Sequence, residues 1–381
     1  MSKYDQRWVG AWWLGFLIVG VASVAFSLPI MFFPRRIRYD QDTSHRKTQN
    51  SSNADSKKAA VKKVILDMPK SLSRIFRRPV YVLALVGGCI DGFGFSGWFA
   101  FSQKYIETQF NKTPQQVSLT TGIIVIFSLA LGTFSGGFLT SRFKLGLRGC
   151  VMMALAISAG TLALDVMYMV FGCENSQVMG LGDTRTQSSQ QCACNSDIFL
   201  VCGDNNVDYR SPCWAGCTNS TNMIFSNCSE INGGQAKPGL CSLDCPFFIP
   251  FLVIYCLGML IGCSSIVPGF MIIVRSIEQR DQSLATGASA FCQTLIGFLP
   301  APLVFGKLID STCRLWSPTG DYCMLYDRER FRFIFNGLYI GLRAGHLVIL
   351  TLVLLLVRRL HGRRDKDGIH GRESKTISPT T

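Results

Sequence analysis

Seven long apolar runs constrain this chain more than any other feature. They occupy positions 8–33, 79–101, 117–141, 149–172, 246–274, 282–306 and 333–357. A helix needs about 20 apolar residues to cross the hydrocarbon core of a bilayer. Four of the runs contain no Asp, Glu, Lys or Arg, and the others carry Asp91, Asp165 and Arg343. Buried helices of a large soluble enzyme would be shorter and broken by surface charge. Only 16% of the residues are charged, against about a quarter in soluble domains. The expected fold class is an all-α multi-pass membrane bundle embedded in a lipid bilayer.

Lys and Arg then orient the bundle, because short basic loops stay in the cytoplasm. Thirteen lie between positions 35 and 78, and seven more between Arg358 and Lys375. The connection after the third run adds Arg142, Lys144 and Arg148, whereas the long segment 173–245 has only Arg185, Arg210 and Lys237. The N-terminus is expected outside and the C-terminus inside. The expected organisation is a first span (1–34), a basic cytoplasmic loop (35–78), three spans (79–172), an extracellular loop (173–245), three spans (246–357) and a cytoplasmic tail (358–381). The net charge of +14 is thus a topology signal. The basic connection lacks aromatics almost throughout, Tyr39 and Phe76 excepted, which argues against nucleic acid as a partner and leaves anionic inner-leaflet lipid as a weaker attraction. A cleaved signal peptide is not expected, because the first run is long and no basic segment precedes it.

Sixteen cysteines divide by side. Cys89, Cys150, Cys256, Cys263 and Cys292 fall within spans and read as packing residues. Cys173, Cys192, Cys194, Cys202, Cys213, Cys217, Cys228, Cys241 and Cys245 crowd the long outer loop, and Cys313 with Cys323 share the last one. Outside placement predicts oxidation and hence disulfides. A zinc site around Cys192-Ala193-Cys194 lacks metal-site spacing and histidine, so no metal and no cofactor is expected. Nine is an odd number, which leaves one cysteine of the loop free or paired beyond it. The sequons at Asn111, Asn219 and Asn227 fall outside, while Asn50 falls inside and should stay bare.

Within the spans, Gly132 and Gly136 form a small-residue face for close helix approach. Gly297, Pro300 and Pro302 break one run. An intramembrane charge is costly unless it faces protein or water. Arg343, with His346 three residues on, would either attract an anion or brace an acid such as Asp91 or Asp165. Lys307 and Asp310, one turn apart, are expected to pair.

Five stretches carry resemblances. Residues 201–217, VCGDNNVDYRSPCWAGC, resemble the core of a Kazal-type module of about 188–245. Such modules often inhibit serine proteases, but the segment 195–201 offers no Lys or Arg anchor, which favours a structural role. The loop SRFKLGLR (141–148) resembles the basic gate loop of major-facilitator transporters, where Arg142, Lys144 and Arg148 would contact helix ends and acids. Most specific is DQRWVGAWWLGFL (5–17). With FSQKYIETQF (101–110), the Kazal-like loop and APLVFGKLID (301–310), it resembles the organic anion transporting polypeptide family, covering all but the basic loop and the tail. The resemblance implies a partial major-facilitator bundle beginning at the family's sixth span. It also implies sodium-independent exchange of large amphipathic organic anions such as bile salts, steroid conjugates, thyroid hormones and prostanoids. The candidate substrate contacts are Arg343, His346 and Gln293, the last standing where many relatives carry arginine. Five spans would be absent, so the chain alone is expected to transport poorly. Alternatives are a membrane-tethered protease inhibitor or a regulatory subunit associating with full-length relatives. Phosphate-loop, nucleophile-elbow and metal-site motifs are missing, so no enzyme is expected.

Overall fold

The computed structural model describes residues 12–31, 68–181, 198–221, 224–232, 234–241, 245–317 and 320–376, with backbone alone for 361–376. Asp5–Ala11 of the signature, most of the basic connection, Asn50, Cys192 and Cys194 lie outside these residues. The chain divides into two units, Met1–Lys62 and Lys63–Thr381. The described part of the first is one uncharged helix, α1 (Trp12–Met31), whose apolar stretch Trp13–Pro29 is shorter than the other runs.

The second unit begins with a short helix, α2 (68–76). It continues with α3 (Pro79–Phe110), α4 (Pro114–Arg142) and α5 (Leu147–Val170). Six short strands follow: β1 (Val178–Met179), β2 (Val201–Gly203), β3 (Asp208–Tyr209), β4 (Cys217–Thr221), β5 (Ile224–Cys228) and β6 (Gln235–Pro238). The helices then resume as α6 (Phe248–Cys263), α7 (Ile266–Ser276), α8 (Gln282–Cys292), a π-helical turn at Gln293–Phe298 and α9 (Ala301–Asp310). A hairpin of β7 (Cys313–Trp316) and β8 (Cys323–Tyr326) leads into α10 (Arg328–Thr376). Six of the seven expected spans are long and apolar enough to cross a membrane among the described residues, with α6–α7 and α8–α9 each forming one span.

The two broken spans follow from proline. Pro268 has no N–H, and its ring collides with the carbonyl four residues earlier, so the helix opens at Ser264 and Ser265. Their hydroxyls donate to the carbonyls of Ile261 (2.6 Å) and Gly262 (2.7 Å). The carbonyl of Ser264 turns toward α4, where a Cβ on Gly136 would lie 2.1 Å from it. Gly132 makes a similar approach to the carbonyl of Leu260, at 2.6 Å. The small-residue face expected of α4 is therefore a backbone-to-backbone seam. In the other span, Pro300 and Pro302 deny hydrogen bonds to the preceding turn, which widens so that Leu299 N–H donates to Thr294 at 2.9 Å. A wide turn of this kind marks many functional sites.

The core lies between α3, α5, α6, α9 and α10. Trp98 is its centre, stacked on Tyr339 (5.1 Å), Tyr168 (5.5 Å) and Tyr255 (5.6 Å), with its indole N–H donated to Asn336 at 3.2 Å. Close approach of α9 depends on Gly97, where a Cβ would be 2.1 Å from the Phe305 ring.

The loop strands form one sheet in the order β1-β3-β2-β6-β5-β4. Disulfides join Cys173 to Cys245, Cys202 to Cys241, Cys217 to Cys228 and Cys313 to Cys323. Cys213 is also disulfide-bonded. Closing 72 residues with Cys173–Cys245 removes much of the unfolded loop's freedom. Cys202, Asp208 and Cys241 converge like metal ligands, but the two thiols are bonded to each other and Asp208 accepts the Cys241 N–H at 2.6 Å. The five span cysteines are free.

Candidate functional site

Four ionisable side chains from three helices meet inside the bundle. The Arg343 guanidinium donates from Nη1 to Asp91 Oδ1 at 2.8 Å, and its Nε lies 3.5 Å from Asp165 Oδ2. Nε also donates to the Tyr339 hydroxyl at 3.1 Å. His346 Nδ1 stands 3.3 Å from Asp91 Oδ1. Helical spacing explains the set on α10: Tyr339, Arg343 and His346 occur at i, i+4 and i+7, one face of the helix. Room for the guanidinium comes from α6, where a Cβ on Gly262 would lie 3.7 Å from Nη2.

The cluster grades from dry to wet. Asp165 is 4% exposed, Arg343 11%, His346 16% and Asp91 30%. Among the described residues, Asp165 Oδ2 accepts no hydrogen bond of good geometry. One guanidinium thus serves two carboxylates, and the set carries a net charge of −1 when His346 is neutral. Of the two roles expected for Arg343, bracing an acid is the one its geometry satisfies, and it braces both. Its charge is engaged, so it is not a free cation awaiting an anion.

Gln293 sits nearby, on the π-helical turn. A Cβ on Gly88 would fall 2.7 Å from its Nε2, and Gly88 precedes Asp91 by three residues on α3. Gly87 backs onto His346 in the same way, at 3.4 Å. The three expected contact residues therefore gather around one segment of α3.

At the end of the bundle near the α4–α5 loop, Arg142, Lys144 and Arg148 are exposed and make no ion pair among the described residues. The loop is braced instead by Arg275 of α7, which donates to the Leu145 carbonyl. Lys307 and Asp310 are not paired within 4 Å, which corrects the expectation for that turn. The order is the poorer one, since an acid N-terminal to the base aligns better with the helix dipole. At the same end, Arg74 pairs with Asp281 at 2.8 Å and Arg78 with Glu278.

At the opposite end, Arg328 is 3% exposed. It donates to the carbonyls of Thr108 and Glu174, both at 3.1 Å. Asp327 caps α10 by accepting the Arg330 N–H at 3.0 Å and the Asn175 amide at 3.1 Å. Burial raises the Asp327 carboxyl, but these hydrogen bonds and the charges of Arg314 and Arg330 outweigh it and hold it below the ordinary carboxylate range. Gln109 donates to the Cys173 carbonyl and Asn111 to that of Cys241. The stapled loop is thereby tied to the end of α3 and the start of α10.

The family model of the Organic Anion Transporter Polypeptide (OATP) family matches residues 1–331. The chain belongs to this family. Among curated relatives, solute carrier organic anion transporter family member 1A2 of Homo sapiens is 29% identical over 95% of this chain and 59% of its own length. Member 1A4 of Rattus norvegicus is 31% identical over 94% and 59%, and member 1C1 of Homo sapiens 29% over 99% and 59%. The chain therefore spans about three fifths of the length of these relatives.

Proposed function

We propose that this chain forms one lobe of a sodium-independent transporter of large amphipathic organic anions, moving bile salts, steroid conjugates, thyroid hormones or prostanoids by alternating access. The observation that carries this is the family match over 1–331, together with six helices fit to span a membrane. Alternating access places the binding site between two opposed lobes of major-facilitator type, and these residues supply one with a single further helix. In this reading the 173–245 segment is an extracellular loop holding a Kazal-like module at about 188–245 and glycosylated at Asn219 and Asn227, with Asn111 glycosylated on the same side. The 35–78 loop and the tail lie in the cytoplasm of a plasma-membrane protein, and Arg142, Lys144 and Arg148 belong to the inner gate.

The charge cluster has a mechanical part in this proposal. Three helices that must move together are joined through Arg343, Asp91 and Asp165, and a charged joint inside a bundle cannot slip without leaving a carboxylate unpaired. Substrate recognition falls to the wetter rim, where Gln293 and His346 flank α3 and offer hydrogen bonds to a sulfate or carboxylate. Arg343 contributes to an anion site only by giving up one acid.

Uptake of labelled estrone sulfate or taurocholate in sodium-free medium tests the proposal. Residues 1–381 alone should give little or none, and robust saturable uptake should appear on co-expression with the first five spans of a relative. Saturable uptake by the chain alone would refute the single-lobe reading. Absence of uptake from a correctly assembled pair would refute transport itself.

A further inference from the structure

The helix α2 presents two largely exposed faces, with Phe76 touching the Tyr81 ring edge-on at 6.0 Å. Ile75, 1% exposed, packs with Tyr81, Leu85, Ile273, Ile277 and Ala285. The Arg74–Asp281 and Arg78–Glu278 ion pairs hold the same segment to the turn between α7 and α8. Alongside Ile75, at i, i+4 and i+8, run Met68 (48% exposed), Leu72 (37%) and Phe76 (42%). Three large apolar side chains in line are costly to leave in water. Lys70 and Arg77 stand on the opposite face, two turns apart. Both are exposed and make no ion pair among the described residues. Two residues later α3 begins its span at Pro79, so α2 lies at the edge of the apolar slab.

We propose that α2 is an in-plane interfacial helix that binds anionic phospholipid. Met68, Leu72 and Phe76 lie against the acyl chains, and Lys70 with Arg77 receives the headgroups. A helix with an apolar stripe and a cationic back takes this position at a membrane surface. Charge complementarity selects anionic headgroups, because positions 35–78 carry thirteen cations against four carboxylates. Arg74 and Arg78 are spent on acids, which leaves Lys70 and Arg77, among the described residues of this segment, as the cations that meet the lipid.

The experiment uses the full chain purified into nanodiscs of phosphatidylcholine with a minor fraction of phosphatidylserine. Lipid retained after partial delipidation is counted by mass spectrometry. The wild type should retain phosphatidylserine above its bulk fraction. The double variant Lys70→Gln/Arg77→Gln should lose affinity for it about 5-fold per cation removed. Lys70→Arg/Arg77→Lys should keep it, which separates charge from folding, and Lys104→Gln at the other end of α3 should change nothing. Equal enrichment in the wild type and Lys70→Gln/Arg77→Gln, or no enrichment in either, would overturn the proposal. The assay has no transport step, so its outcome is independent of the function proposed above.

Discussion

Removing the Arg343 charge is the most informative perturbation of the bundle. Arg343→Gln removes the guanidinium that lies 2.8 Å from Asp91 and 3.5 Å from Asp165, leaving two carboxylates without it. Breaking a buried pair from one side costs about 3–5 kcal/mol, because an uncompensated charge stays behind. Here one partner is 4% exposed and the other 30%, so Asp165 bears most of the cost and Asp91 recovers part of it from solvent. We expect Arg343→Gln to lower thermal stability in detergent by about 3 kcal/mol or more, with Asp165→Asn added to it restoring more than Asp91→Asn. The triple neutral variant should approach wild type, since neutral polar groups carry no Born penalty. Melting followed by fluorescence-detected size exclusion measures all five proteins. An Arg343→Gln protein as stable as wild type, or a triple variant no better than the single, would show that the joint does not hold the helices.

Other substitutions test the seam, the cap and the outer surface. Gly136→Val should abolish a monodisperse protein, because its Cβ would meet the Ser264 carbonyl at 2.1 Å, whereas Gly160→Ala, with open space around it, should be neutral or slightly stabilising; size-exclusion profiles separate the two. Asp327→Ala should cost about 1 kcal/mol through loss of the α10 cap, read as a drop in melting temperature. Because the Asp327 carboxyl is held below its ordinary value, its contribution is complete above the unfolded value near pH 4 and is lost as pH falls through the lower folded value. The melting difference between wild type and Asp327→Asn should therefore shrink from pH 6 toward pH 3, and a difference that grows on acidification would contradict the sign. Asn219 and Asn227 are exposed, so each Asn→Gln change should remove one glycan's worth of mobility shift. Asn111, half-buried and donating to the Cys241 carbonyl, should shift less completely.

What the sequence made legible were features with local signatures. Apolar runs located the spans to within a few residues, except where polar residues pack inward. The run ending at 101 continues as helix to Phe110, because Ser102, Gln109, Tyr105 and Phe110 are buried against the neighbouring helices. The glycine seam of α4 and the proline break near Pro300 followed from residue type alone. The break at Ser264 was equally readable from Pro268 but was hidden inside an apolar run. The charge joint was half legible: Asp91, Asp165 and Arg343 stood out as charges in apolar runs, but their pairing spans 252 residues, and no local pattern encodes which acid an arginine will meet. Tyr339 could have been found by helical spacing from Arg343. Arg275 bracing the α4–α5 loop, and Arg328 tying the outer ends, were invisible because each acts through backbone carbonyls that every sequence possesses.

The functional account rests on which side of the membrane carries the cystine-stapled segment 173–245. Enzymatic deglycosylation and protease protection of the full chain in sealed microsomes decide it directly. The account predicts glycans on Asn219 or Asn227 and a segment shielded from protease added outside the vesicles, with the basic connection ahead of α2 cleaved. A segment that is bare and cut from the cytoplasmic face would contradict the account.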